Sequence, residues 1–532
     1  MRKQIISTVV LLIAVIAVTV VYFKDLNPPG SNTSRVMASI PGNASVVFQF
    51  TNEKSFYDII SNDSLLSDVT GRDELADIDT LHSDLLGNKH ISKYFDGQSL
   101  FISLHPLKNK DVGLLLTIRA SKGFDIGVME QLAKEKNNGL LITPLHANGV
   151  QGYEIYVNSL KKRFYVVDKG DNVFSGSFCE ELALLSAAYK PKSDKHDFVM
   201  LSEQQNSNSL ANVYINNTQI EQLFECLFSD KNIDIFKSFR QLPAQAALSI
   251  NYRTDALMFS GITTILTDQP GSYLTLFTTQ QPVENHLKDV FPSTTAYSVN
   301  FSVSDPSKFS NDLYNFHTKA GINREQDSVF RKIRSETGVS FRTEFNNLLG
   351  SEFAMVTTRF REKYAIIAVK DGSKLGSLMA NISTMATDKI GQLNYQKLPF
   401  YLLGDAFSIL KRPYFMIVDN YLILATSEGE LTSYYDTYFN RKFLSKMQQY
   451  NQFANLLSEK SNVSFFINFK NAAPILKTEL RPDFYNSFNE DNPGWKNFYG
   501  LSYQYSAADK NFYTNFCIRL NKTDTTSVDD MP

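Results

Sequence analysis

Polar and apolar positions divide the chain into three regimes. Between Ile5 and Phe23 there is no charged residue, and Ile, Val, Leu and Ala predominate. From about Met37 to Leu520 the pattern changes to short apolar runs of strand length, separated by stretches whose apolar residues recur at helical spacing. The end of the chain, with Asp524, Asp529 and Asp530, predicts a solvated tail over residues 522–532.

The first regime predicts a transmembrane helix. Its nineteen residues, at about 1.5 Å each, reach about 28 Å, close to the roughly 30 Å hydrocarbon core. The run ends in bulky Val20, Val21, Tyr22 and Phe23 with no small-residue cleavage site after it, so an uncleaved anchor is expected over residues 1–24. Arg2 and Lys3 flank it on one side, whereas Asp25 cancels Lys24 on the other. That bias predicts a cytoplasmic N-terminus and a periplasmic body at a bacterial inner membrane. Residues 25–37, with Pro28, Pro29 and Gly30, read as a linker.

The second regime repeats itself. Pro41 and Phe50 bracket a strand opening that recurs at Pro292 and Phe301, each 251 residues on. Gly97 opens a hairpin that recurs at Gly350, 253 residues on. Asn216 closes an apolar run matched at Asn468, an offset of 252, and the run 248–252 is matched by 501–505 at 253. Helices are expected after equivalent strands, at 54–60 and 306–316, 124–136 and 374–387, and 180–189 and 428–438. Landmarks in one order at nearly constant spacing predict a duplication, with copies over residues 38–285 and 286–521. Partial alternation, as in 246–252 and 512–520, suggests antiparallel sheets with one covered face. The expected fold class is therefore α+β: an N-terminal transmembrane helix, then two tandem copies of a mainly antiparallel sheet with helices packed on it. The connection between the copies contains a strand-like run at 273–279.

The anchor, the Pro-x-x-Ala/Thr opening (Pro41 to Ala44, Pro292 to Thr295) and the repeated hairpins and helices resemble a family of bacterial single-pass envelope proteins known only as a domain of unknown function. The resemblance covers about residues 37–520. It implies an envelope location and brings no functional residue, because no catalytic motif defines that family. Abundant Asn, Lys, Tyr and Phe beside a single Trp, Trp495, is similar to envelope proteins of Bacteroidetes-type bacteria.

Charge and motifs narrow the function. Across 532 residues, 53 Lys and Arg face 55 Asp and Glu, so no excess is available to neutralise phosphates and no nucleic-acid partner is expected. Cys179, Cys226 and Cys517 lie far apart without metal spacing and read as small buried hydrophobes. No phosphate-binding GxxxxGK[ST], HExxH or GxSxG motif occurs. None of the seven histidines lies three or four residues from another, so no helix presents two imidazoles to a metal. His196-Asp197, Glu180-Glu181 and Glu490-Asp491 read as a polar connection, a helix start and a loop. Basic clusters at 161–163, 190–195 and 359–363 read as solubilising turns. No catalytic residue, metal or cofactor is assigned.

The aromatics are more specific. Tyr434, Tyr435, Tyr438, Phe439 and Tyr450 crowd one helical region and read as core. Residues 484–499 hold Phe484, Tyr485, Phe488, Trp495, Phe498 and Tyr499 among Asn486, Asn489, Asn492 and Pro493, the composition of a loop. Rings beside amides suit stacking on sugars or partner side chains, so these six are the candidate binding residues. Together these features predict a membrane-anchored, non-enzymatic binding or scaffold module whose partner is a protein or an envelope polymer. The alternatives are an accessory subunit of a membrane machine, and an anchored hydrolase acting on an envelope polymer in a cleft between the copies.

Overall fold

The computed structural model describes residues 31–521 except 63, 109, 125–126, 135–138, 146–150, 191–208, 230–240, 268, 270 and 491–493. Twenty strands join in one sheet, and every pairing in it is antiparallel. The first copy supplies β1 (Val46–Thr51), β2 (Ser99–Pro106), β3 (Val112–Arg119), β4 (Leu140–Pro144), β5 (Gly152–Val157), β6 (Lys162–Asp168), β7 (Val173–Ser177), β8 (Ala211–Asn216), β9 (Ala244–Arg253) and β10 (Ala256–Ile265). The second supplies β11 (Thr295–Ser302), β12 (Leu349–Thr358), β13 (Lys363–Val369), β14 (Ser383–Met385), β15 (Gly391–Leu393), β16 (Tyr414–Val418), β17 (Tyr421–Ala425), β18 (Val463–Asn468), β19 (Phe498–Ala508) and β20 (Asn511–Leu520).

The order in space is β4-β5-β6-β7-β3-β2-β1-β8-β9-β10 in the first copy. It is β14-β15-β16-β17-β13-β12-β11-β18-β19-β20 in the second. Each strand thus has its counterpart ten labels on, as an internal repeat requires. The copies meet where β10 pairs with β20. At the centre of that seam Ser260 faces Asn515, and since the two strands start at Ala256 and Asn511, these residues are counterparts. Thr263 and Thr514 share a buried 2.6 Å hydrogen bond across it, and Arg519 forms a 3.2 Å ion pair with Asp255.

Register bears on the sequence landmarks in detail. Phe50 faces Leu100 and Phe301 faces Phe353, which keeps the offsets of 251 and 253. Asn216 and Asn468 both cap the next helix, accepting from Thr218 N at 3.2 Å and Asn471 N at 2.9 Å. At the last landmark, Asn212 faces Ser249 and Ser464 faces Gln504, an offset of 255 and not 253. A two-residue difference leaves the same strand face aligned, so the pattern survived the miscount.

The expectation of a transmembrane helix is corrected. Among the described residues no helix is long and apolar enough to cross a membrane. Even Asn323–Thr337, with 15 residues, reaches only about 22 Å against a core of about 30 Å, and it is densely charged. The fold is a mostly antiparallel α+β sheet whose first described helix is Ser31–Ser39; residues 5–23 lie outside the described residues. That helix falls in the stretch read as a linker, and its Val36 and Met37 are buried against Val47, Phe101 and Tyr214. The run at 273–279 also departs from expectation. It is a 3-10 helix, with Tyr273, Leu274, Leu276 and Phe277 buried, because a short apolar run has no period that separates strand from helix.

Helices recur at equivalent places. Among the described residues, Pro306–Lys319, Asn323–Thr337 and Phe341–Leu348 follow β11, and Lys54–Asn62, Ser64–Thr70 and Arg72–Leu81 follow β1, where a π-helix, His82–Leu86, and a further helix, Ser92–Phe95, are added before β2. Gly127–Lys134 and Gly372–Ala380 follow the central hairpins. Another connection differs. β5 and β6 are joined by residues 158–161, whereas β15 and β16 are separated by residues 394–413. That longer connection contains a helix, Leu398–Leu403, and a 3-10 turn, Asp405–Phe407, with Leu398, Tyr401, Leu403 and Phe407 buried. One hydrophobic cluster draws on both copies, from Phe50, Phe56 and Leu116 to Phe301, Phe353 and Phe407.

Candidate functional site

An apolar cavity lies in the first copy, between the sheet and the helices that cross it. Strand periodicity points Leu116 and Ile118 of β3, Phe164 and Val166 of β6, and Phe174 of β7 to that side. The helices close it with Leu81, Leu85 and Met129. The cavity volume is about 70 Å³, several times the roughly 10–15 Å³ that one water needs. Two features of the sequence leave this room. Gly176 presents no side chain, and a Cβ there would lie 2.4 Å from the Phe164 ring. The connection 158–161 is too short to send a segment inward.

The electrostatics of the wall are simple. Asp168 is the one charged residue among the described residues that line the cavity, and its carboxylate accepts from Gly170 N at 2.8 Å. Burial, with the Glu130 carboxylate nearby, raises the Tyr153 phenol above its usual range. Next along the chain, Lys169 turns to the carbonyls of Ser186 and Tyr189, the latter at 2.9 Å, and burial lowers its amine to about 8. Among the described lining residues Tyr153, Asp168 and Ser175 carry the polar side chains, and the apolar ones offer dispersion contact.

The six aromatics chosen from the sequence lie elsewhere, at the junction of the copies. Phe484, Tyr485 and Phe488 are on a helix, Pro482–Asn489, with Pro at its start; Phe498 and Tyr499 begin β19. Phe488, Phe498 and Tyr499 are buried, and Phe469 packs on both Phe488 and Phe498. Trp495 is 37% exposed, and its indole N–H donates to Val69 O in the first copy at 2.8 Å. Phe484 lines an open hollow of about 320 Å³ with Lys110, Asp111 and Arg481. Arg481 donates to Lys110 O and, at 2.9 Å, to Cys226 O, so this segment ties the second copy to the first.

One constellation, marked by no motif, has the outline of a nucleophile, base and orienting group. Ser103 Oγ is 2.8 Å from His105 Nε2, and His105 Nδ1 is 2.9 Å from Asn43 Oδ1. Both residues are on β2, two apart and so on one face, which a search for helical spacing misses. Ser103 and His105 have no exposed surface, Ser103 is also 3.2 Å from Leu115 O, and neither lines any of the cavities described here. Burial lowers the His105 imidazole to about 4. The arrangement satisfies buried polar groups and gives no substrate access. Of the acidic pairs, Glu180 and Glu181 occupy the first turn of helix Glu180–Ala188, as expected. His196-Asp197 lies outside the described residues, as does Asp491, the second acid of its pair. Among the described residues no group of three or more His, Cys, Asp or Glu is placed to hold a metal ion.

No protein-family model matches the chain, and no curated protein matches it. Among solved structures, crystal form III of TP0453 is similar over 49% of this chain and 91% of its own, at 10% identity and a TM-score of 0.23. A likeness at that level carries no conclusion about fold or function.

Proposed function

We propose that this chain is a non-enzymatic binding module of the cell envelope, in which the first copy receives an apolar molecule and the second copy braces it. The observation that carries this reading is the cavity of about 70 Å³ walled by Leu, Ile, Phe and Met. An unfilled apolar space of this size forfeits dispersion contacts, which a bound molecule would restore. The envelope location rests on the sequence, through its apolar residues 5–23 and the family resemblance. A hydrolytic reading draws no support from Ser103 and His105, which nothing reaches.

The test is a titration of the full chain, recovered from its source cells, with the fluorescent apolar dye 1-N-phenylnaphthylamine. Recovery from the envelope fraction and saturable binding of one equivalent are expected. Leu116→Trp and Met129→Trp, which fill the cavity from the sheet and helix sides, should each weaken binding at least tenfold with unchanged circular dichroism. Absence of saturable binding, or folded variants that bind like the parent, would sink the ligand. Recovery from the cytosol would sink the location.

A further inference from the structure

The two copies share a strand order but fill the space beside it differently. Register makes the comparison residue by residue. Leu100 faces Ile118, which faces Phe174 in the first copy; Phe353 faces Ile367, which faces Leu422 in the second. Gly176 and Leu424 then fall at matching positions two residues further along β7 and β17. Ile118, Phe174 and Gly176 line the cavity of the first copy. Their counterparts Ile367, Leu422 and Leu424 line a remnant of about 20 Å³ in the second. The first copy closes its space partly with Leu85, Leu86, Ile91 and Phe95, from a segment with no counterpart between Leu348 and β12, whereas the second uses the inserted helix, whose Leu398, Pro399, Leu402 and Leu403 lie against those residues.

We propose that the apolar ligand is an unbranched aliphatic chain, carried by a fatty acid or a glycerolipid, and that it takes the place held in the second copy by the side chains of helix Leu398–Leu403. This rests on the binding reading above and deepens it. In the second copy the inserted helix brings only aliphatic side chains to the remnant, Leu398, Pro399, Leu402 and Leu403, beside Phe341 and Phe345 of the surrounding wall. Among the described residues, no Lys, Arg or His lines the first cavity. Asp168, in the lining, disfavours a second negative charge beside it, so the polar end of the ligand lies away from it.

The experiment measures displacement of the same dye from the full chain by saturated fatty acids and by monoacylglycerols of 8 to about 18 carbons, all below their micelle concentrations. Each added methylene should tighten binding about fourfold until the cavity is full, after which affinity levels off. Pyrene, rigid and polycyclic, should compete at least tenfold more weakly than the best chain. Monoacylglycerols binding more tightly than the acids would indicate a glycerolipid source; the reverse order would indicate free acids, and both support a chain. A dye that binds but is displaced with no dependence on chain length, or equally well by pyrene, overturns the aliphatic ligand and leaves the cavity reading standing. A dye that never binds overturns the cavity reading instead.

Discussion

His105 and Gly176 show how single residues set the character of the first copy. At Gly176 the absence of a side chain lets the Phe164 ring lie across β7, whereas the second copy has Leu424 at the matching place. His105 is buried between Ser103 and Asn43, and burial lowers its imidazole from 6.5 to about 4. As pH falls, the unfolded chain takes up this proton before the folded one. The stabilising contribution is therefore complete above pH 6.5, declines as pH falls toward 4, and then stays constant, a total of about 3 kcal/mol. His105→Gln should flatten the decline in urea midpoint between pH 6.5 and 5.5. Parallel curves for the two proteins would refute this assignment. Neither feature was legible beforehand: a lone His and a lone Gly carry no period, and their meaning comes from strands that are distant in sequence.

Elements were read better than sites. Alternation with period 2 against 3.6 located most hairpins and helices, and the Asn216 and Asn468 landmarks were helix caps. The stretch 484–499 looked like a loop because Asn and Pro punctuate it. Pro482 instead starts a helix, where its missing N–H costs nothing. The helix inserted between β15 and β16 was not recognised at all, since six mostly apolar residues suit a strand equally well. Its importance lies in packing. Leu402→Ala should destabilise the chain by about 2–5 kcal/mol, the range for truncating a buried Leu. It should also open a second apolar site, raising dye stoichiometry from one to two. A loss of stability with stoichiometry still at one would show that the space collapses and does not stay open.

At the scale of the whole molecule, the duplication was legible because its landmarks recur in order, but the way the copies join was not. Pairing of β10 with β20 brings together residues about 255 apart, and no local pattern announces it. The seam is secured by Arg519, whose guanidinium meets Asp255 and is nearly buried. Asp255→Ala would leave that charge without its carboxylate and should cost about 3 kcal/mol. Because one hydrophobic cluster runs through both copies, the loss should lower a single calorimetric transition. Two separated transitions in the parent protein would contradict a shared core.

The seam has one more consequence. At its centre a residue faces its own counterpart, so the join uses the same edge from each half, as an isologous contact between subunits does. Such a contact closes on itself, whereas a head-to-tail join would leave one unlike edge at each end and invite filaments. Here both remaining ends are the same kind of strand, β4 and β14. One finishes in Pro144, which has no N–H to offer, and the other is three residues long. A sheet of twenty strands is thereby finite, with poor templates at both ends for growth by further chains.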